Sequence, residues 1–140
     1  MAVFKIIAND FNLEATLTSG QVFGFTEKDG HFSGYLRGNG VRFRQDGKTL
    51  WMESDSGVEL TELTQDYFDL GRDLKPVYRI LESEELLRKT LQIFRGLRLI
   101  KQDSWEALAC VIISSNNNIK RIQGIWKKHC PNVPCWNRSE

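Results

Sequence analysis

The sequence predicts an α+β fold: an antiparallel twisted sheet covered by helices, followed by the first two helices of an incomplete helical domain. Three observations lead there. Three glycine-containing reversals, Asp29-Gly30, Asn39-Gly40 and Asp46-Gly47, crowd the first third of the chain. The segments between them are rich in aromatic and β-branched residues. Most of the remaining chain has apolar residues at helical spacing behind capping signals. Asp, Asn and Gly tolerate the positive φ that tight reversals between antiparallel strands require. Strands leading into helices, without regular alternation, indicate α+β.

Val3 to Ala8 opens the sheet, and Val22 to Thr26 is a candidate second strand. His31 to Leu36, Val41 to Gln45 and Thr49 to Glu53 complete a meander, with alternation clearest at Val41, Phe43 and Gln45. Phe32, Tyr35, Phe43 and Trp51 are expected in the sheet core, not on a base-stacking platform. Helices within residues 61–95 should cover the apolar face. Thr61 is expected to cap a helix that turns Leu63, Tyr67 and Phe68 inward and stops at Gly71. Asp73 is expected to cap the next, with Pro76 in its first turn and Val77, Ile80 and Leu81 on one face. A third begins near Ser83, carries Leu87, Leu91 and Phe94 as its stripe, and ends near Gly96.

The character then changes. Asp103 and Glu106 form an acidic capping box. Trp105, Leu108, Ala109 and Ile112 are expected to face inward, and Val111 and Ile113 make this helix apolar nearly all round, as at the centre of a bundle. In Asn116-Asn117-Asn118 the plain expectation is that Asn117 takes the left-handed position ending one helix and Asn118 caps the next. That next helix has Ile119, Ile122 and Trp126 on one side, with Lys120, Arg121, Lys127 and Lys128 elsewhere. Residues 131–140 read as an irregular tail. Two helices beginning a bundle cannot bury their apolar surface alone, so they either dock on the first domain or belong with a large further part of the molecule. The expected boundaries are 1–98 for the sheet domain, 99–130 for the start of the helical domain, and 131–140 for the tail.

Hydrophobic content of 41% and charged content of 26% are ordinary for a soluble globular protein. No apolar run approaches a membrane span, and Met1 to Ile7 reads as a strand, not a signal peptide. A location inside the cell is expected, cytoplasmic or, in a eukaryote, nuclear, and not secreted. Cys110, Cys130 and Cys135 supply no disulfide framework. His129, Cys130 and Cys135 lack the paired spacing of structural zinc, so free thiols, and no metal or cofactor, are expected. Residues 53–85 hold ten acids against three bases, a net of −7, whereas residues 95–130 hold seven bases against two acids, a net of +5. A polyanion is drawn to the second segment; two solvated helix faces of opposite sign are the plainer reading. Gly34 to Gly40 lacks the ending of a phosphate loop, and no motif pairs His31 or His129 with a nucleophile.

Three blocks carry a family resemblance. Leu17-Thr18-Ser19-Gly20-Gln21-Val22-Phe23 is similar to the Ser-Gly-Gln-x-Phe stretch of 8-oxoguanine DNA glycosylases. Phe94-Arg95-Gly96-Leu97-Arg98-Leu99-Ile100-Lys101-Gln102-Asp103 is similar to their Gly-hydrophobic-Arg-Leu-Leu-Arg-Gln-Asp stretch. Ile113 to Ile122, through Ser114-Ser115-Asn116-Asn117-Asn118, resembles their Ser-Ser-x-Asn-Asn-Ile-x-Arg-Ile signature. Order and separations also fit, over roughly residues 1–130.

The resemblance implies a DNA glycosylase and abasic-site lyase acting on damaged double-stranded DNA. It makes Gly20 the base-recognition residue, whose carbonyl accepts from the protonated N7 of 8-oxoguanine and repels the lone pair of guanine N7. It makes Asn116, Asn117, Asn118 and Arg121 DNA-binding. Asn116 enters the space left by the flipped nucleotide, and Arg121 hydrogen-bonds the orphaned cytosine. Without the resemblance, Ser19-Gly20 is a turn and Arg121 a solvated helix position. In the family a lysine amine attacks the sugar and an aspartate supports the charge. Neither motif occurs in these 140 residues, so the chain as given is expected to be inactive, with a non-catalytic DNA-binding or relic fragment as the alternative.

Overall fold

The computed structural model describes residues 2–129. Along the chain run β1 (Ala2–Ile7), α1 (Leu13–Thr18), β2 (Thr26–Lys28), β3 (His31–Leu36), β4 (Asn39–Asp46), β5 (Thr49–Ser54), α2 (Thr61–Tyr67), α3 (Lys75–Glu82), α4 (Glu85–Phe94), α5 (Ser104–Ser114) and α6 (Ile119–His129). The five strands form one sheet in the order β1-β5-β4-β3-β2, every neighbour antiparallel. The predicted α+β class is what the chain adopts.

Two of the three reversals sit elsewhere than expected. At Asp29-Gly30 both residues have positive φ, 51° and 74°, as a type I′ turn requires. The second reversal is Arg37-Gly38, with φ of 47° and 82°, and not Asn39-Gly40. Asn39 and Gly40 lie inside β4, opposite Leu36 and Tyr35. The Asn39 amide still serves the turn from outside, donating to the carbonyls of Leu36 and Arg37 at 3.3 Å each. The third is Gly47-Lys48, because Asp46 pairs with Thr49 as the last residue of β4.

Alternation then sorts the side chains. Phe32, Leu36, Val41, Phe43, Leu50 and Met52 point into the core, where Phe43 and Phe68 meet edge to face at 5.5 Å. Tyr35 and Trp51 do not belong to that core, contrary to expectation; Trp51 lies on the opposite face, under Lys5 at 5.4 Å and Arg44 at 5.8 Å. The cover is α1 and α2, which contribute Leu13, Leu17 and Tyr67, together with the flanking Leu60 and Phe68. Helix α1 is an addition to the predicted elements. Asn12 caps it by accepting from the Ala15 amide at 2.9 Å, and Leu13, Thr16 and Leu17 are buried. Of residues 22–26 only Thr26 is in a strand, while Val22 enters the core.

Other helix ends also depart from expectation. Thr61 does not cap α2; Leu60 stands at the cap, and Glu59 instead accepts from the Thr61 amide at 2.8 Å. The left-handed residue past α2 is Asp69, φ 49°, before Gly71 is reached. Asp73 accepts from the Lys75 amide one position ahead of the cap residue Leu74. Helices α3 and α4 pack on each other and bury Tyr78 and Leu91, but Val77, Ile80 and Phe94 stay exposed, so this hairpin adds nothing to the sheet's core cluster.

Asp103 caps α5 as predicted, accepting from the Glu106 amide at 2.8 Å. The expected inward face is not buried: Trp105 is 76% exposed, Leu108 50% and Ile112 62%, with Cys110 the buried residue of the helix. Among the described residues α5 has α6 as a neighbour and no surrounding bundle. No described helix is long and apolar enough to cross a membrane. The side chains of Trp126 and His129, with Cys130 and Cys135, lie outside the described residues.

Candidate functional site

Helix α1 ends at Ser19, whose hydroxyl donates to the Thr16 carbonyl at 2.8 Å. Gly20 follows with φ 88°, exposed, with nothing within 4 Å of where a Cβ would stand. A left-handed backbone in open space is what a close approach to a ligand asks of glycine. The next residue holds the loop down. The Gln21 amide nitrogen donates to the Ser19 hydroxyl and the Arg98 carbonyl, both at 2.9 Å, and its oxygen accepts from the Ile100 amide at 2.9 Å. The first and second motif blocks, nearly eighty residues apart, are thereby joined.

The second block is itself anchored. Arg98 is 4% exposed, yet among the described residues no carboxylate meets its guanidinium. It donates instead to four carbonyls, of Asn9, Asp10, Asp69 and Arg72, at 2.6 to 3.1 Å. Its own amide donates to the Thr16 hydroxyl at 3.2 Å. Dipoles of four peptide groups stand in for a counterion, which lets one side chain tie separate loops together. Gly96, φ 86°, lies so close to the chain at Phe11 and Asn12 that a Cβ would stand 2.9 Å from backbone atoms.

The third block forms the turn between α5 and α6. Asn116, not Asn117, takes the left-handed position, φ 56°. Asn117 turns its amide back to donate to the Ile113 carbonyl at 2.8 Å. Asn118 caps α6 as predicted, accepting from the Arg121 amide at 3.0 Å. Asn116, Asn118, Lys120 and Arg121 are all exposed, so the turn presents amides and two cations outward. Among the described residues, no hydrogen bond joins this turn to the Gly20 loop; each is held by its own neighbours.

A charged junction lies on the second block. Lys101 pairs with Asp69 at 2.9 Å and Asp66 at 3.3 Å, Arg37 reaches Asp66 at 2.6 Å, and Arg72 pairs with Asp69. Hydrogen bonds from Arg37 to Asp66 and from Arg72 to Asp69 hold the two carboxyls below the ordinary range, with Lys101 acting in the same direction. The acidic and basic stretches of the sequence therefore meet and partly neutralise each other here. Deeper in, Tyr67 donates to Glu106 at 3.1 Å. Burial pushes the Glu106 carboxyl above its ordinary value and the Tyr67 phenol likewise. No group of metal-ligating side chains occurs among the described residues. A cavity of about 490 Å³ between the α3–α4 hairpin and residues 97–101 has mostly apolar walls, with Asp69, Arg72, Arg98 and Lys101 among its lining, and none of Gly20, Asn116 to Asn118 and Arg121 lines it.

The profile of the 8-oxoguanine DNA glycosylase N-terminal domain matches residues 3–108. The chain belongs to the 8-oxoguanine DNA glycosylase family. Solved structures agree on the fold. MBOgg1 in complex with a low-affinity DNA ligand is 34% identical at a TM-score of 0.77, over 86% of this chain and 42% of that one. The Clostridium acetobutylicum 8-oxoguanine glycosylase/lyase without ligand is 26% identical at a TM-score of 0.77, over 88% and 44%. The same enzyme with double-stranded DNA containing cytosine opposite 8-oxoguanine is 25% identical at 0.72, over 88% and 45%. The chain thus spans less than half the length of the glycosylases it matches.

Sequence reading passes over two residues of this site, Gln21 and Arg98, and reads Gly96 as the end of a helix without its close approach to Phe11 and Asn12. Arg98 carries a signal, since an arginine between Leu97 and Leu99 in an apolar run is out of place unless its burial has a purpose. Gln21 carries none beyond membership of its motif.

Proposed function

We propose that this chain is the amino-terminal recognition part of a glycosylase that excises 8-oxoguanine and cleaves the abasic site through a lysine Schiff base. The observation that carries the proposal is the exposed, left-handed Gly20, held between two fastened residues. Its peptide is the surface against which N7 of a flipped base is read. Asn116, Asn117, Asn118 and Arg121 make the second contact, at the gap in the duplex and the orphaned cytosine, with the domain boundary near residues 98 and 99. Damaged double-stranded DNA is the proposed partner, in keeping with the DNA-bound relatives. Residues 1–140 by themselves are proposed to catalyse neither step. Cleaving a glycosidic bond needs a positioned amine that sheds its proton in a desolvated pocket, and Lys120 is an exposed residue of α6.

A chimera tests the recognition role: residues 2–129 replace the matching segment of MBOgg1. Excision of 8-oxoguanine opposite cytosine is expected. A chimera that melts cooperatively yet excises nothing overturns the proposal. For the unaided chain, borohydride with an 8-oxoguanine duplex should trap no adduct. A stoichiometric adduct removed by substituting Lys120, Lys127 or Lys128 would relocate the nucleophile.

A further inference from the structure

We propose that Gln21 is a positioning residue: its amide sets the orientation in which the Gly20 peptide is presented. This rests on the base-recognition reading of Gly20 and adds what fixes its geometry.

Glycine left alone in an exposed loop samples both signs of φ, and a carbonyl that must meet one atom of a ligand cannot keep that freedom. The loop has almost no regular structure of its own between α1 and β2. Gln21 supplies what is missing. Both ends of its amide are used, and in opposite senses: nitrogen donates to the Arg98 carbonyl, and oxygen accepts from the Ile100 amide. Only one of the two amide orientations satisfies both bonds, so the side chain is determined as well as tethered. On the other side of Gly20, the Ser19 hydroxyl accepts from the same amide nitrogen and donates to Thr16. Gly20 is therefore clamped between the end of α1 and residues 98–100. That second support is stiff, because the Arg98 guanidinium is already spread over four carbonyls. Arg98 fixes the support, whereas Gln21 transmits it to the loop.

The chemistry is specific to a glutamine. An alanine has no bonds to give. A glutamate keeps the length but, once ionised, sets a negative oxygen against the Arg98 carbonyl; protonated, it again donates there and accepts from Ile100.

The test is heteronuclear NMR on the full chain as wild type, Gln21→Ala and Gln21→Glu. In Gln21→Ala the Ile100 amide should exchange about tenfold faster. The Gly20 amide and carbonyl resonances should move toward unstructured glycine, with the β4 and β5 resonances unmoved. Gln21→Glu should resemble Gln21→Ala at about pH 7.5 and return toward wild type at about pH 4, while wild-type Gly20 stays put. Unmoved Gly20 resonances in Gln21→Ala, or no pH dependence in Gln21→Glu, overturn the proposal. So does a Gln21→Ala that fails to fold, if Gln21→Glu shows no recovery in acid. No DNA enters these measurements, so their failure is separate from failure of the base-recognition reading, which shows in the chimera with the Gly20 resonances unaltered.

Discussion

Tyr67 donates its hydroxyl to the Glu106 carboxylate at 3.1 Å, joining the last residue of α2 to the first turn of α5. The glutamate of a capping box usually reaches back to its own cap residue. Here its amide keeps the Asp103 bond, while the carboxylate turns to Tyr67.

Removing the hydroxyl leaves a half-buried carboxylate without this donor, so Tyr67→Phe should cost about 1–3 kcal/mol in chemical denaturation. The pH dependence has a definite sign. Burial, the main cause, raises the folded Glu106 pKa above its unfolded value, so between those two values the native state binds more protons and stability falls as pH rises. Glu106→Gln should therefore gain on wild type as pH climbs through that window. A constant difference between the two proteins would contradict this.

Gly96 and Gly20 share a left-handed backbone but not their surroundings. Gly96→Ala adds a backbone clash to the strain and should cost about 2–4 kcal/mol. Gly20→Ala meets open space and should cost about 1 kcal/mol, while lowering excision by the chimera. Comparing the two thermal midpoints checks the order.

Thr64 is fully buried, and its hydroxyl has no hydrogen-bond partner among the described residues. Thr64→Val keeps the shape and removes the unsatisfied group. It should stabilise the chain by about 1 kcal/mol in urea unfolding. A loss of stability would mean that the hydroxyl is in fact satisfied.

Arg98→Lys offers a point charge where four carbonyls expect a planar fork, and should cost at least about 2 kcal/mol. It should also loosen the Gly20 loop by way of the Arg98–Ile100 support. A midpoint within experimental error of wild type would contradict the role given to the guanidinium.

In the chimera, Arg121→Ala should weaken discrimination for cytosine opposite the lesion more than overall affinity. Equal loss opposite all four bases would indicate a phosphate contact instead.

The sheet is legible in the sequence because alternation and glycine turns are local signals. Two of its turns sit a residue or two from the expected places, since Asn39-Gly40 and Arg37-Gly38 are both suitable pairs and only the register between Leu36 and Asn39 chooses between them. Helix α1 escapes because six residues are too few for a period to show, although Asn12 marks its start. The inward face of α5 is an inference from composition, which reports that a surface is apolar and not whether anything lies against it. The Asn118 cap is readable from the turn alone, whereas the Gln21 brace links residues far apart in sequence and needs the folded chain.

The strand order has a further consequence, for the time course of folding. Strands β2 to β5 are joined by two-residue reversals, so their pairing closes loops of almost no length and can form early. β1 is different: Ile7 meets Thr49 and Ala2 meets Ser54, across the whole of the intervening meander. Its docking carries the loop-closure entropy of that meander and raises the contact order. On a ribosome this strand emerges before the rest of the sheet, yet it has no partner until β5 has followed it out. Until then its core-facing Phe4 and Ile6, and the edge that will meet β5, are open to other chains.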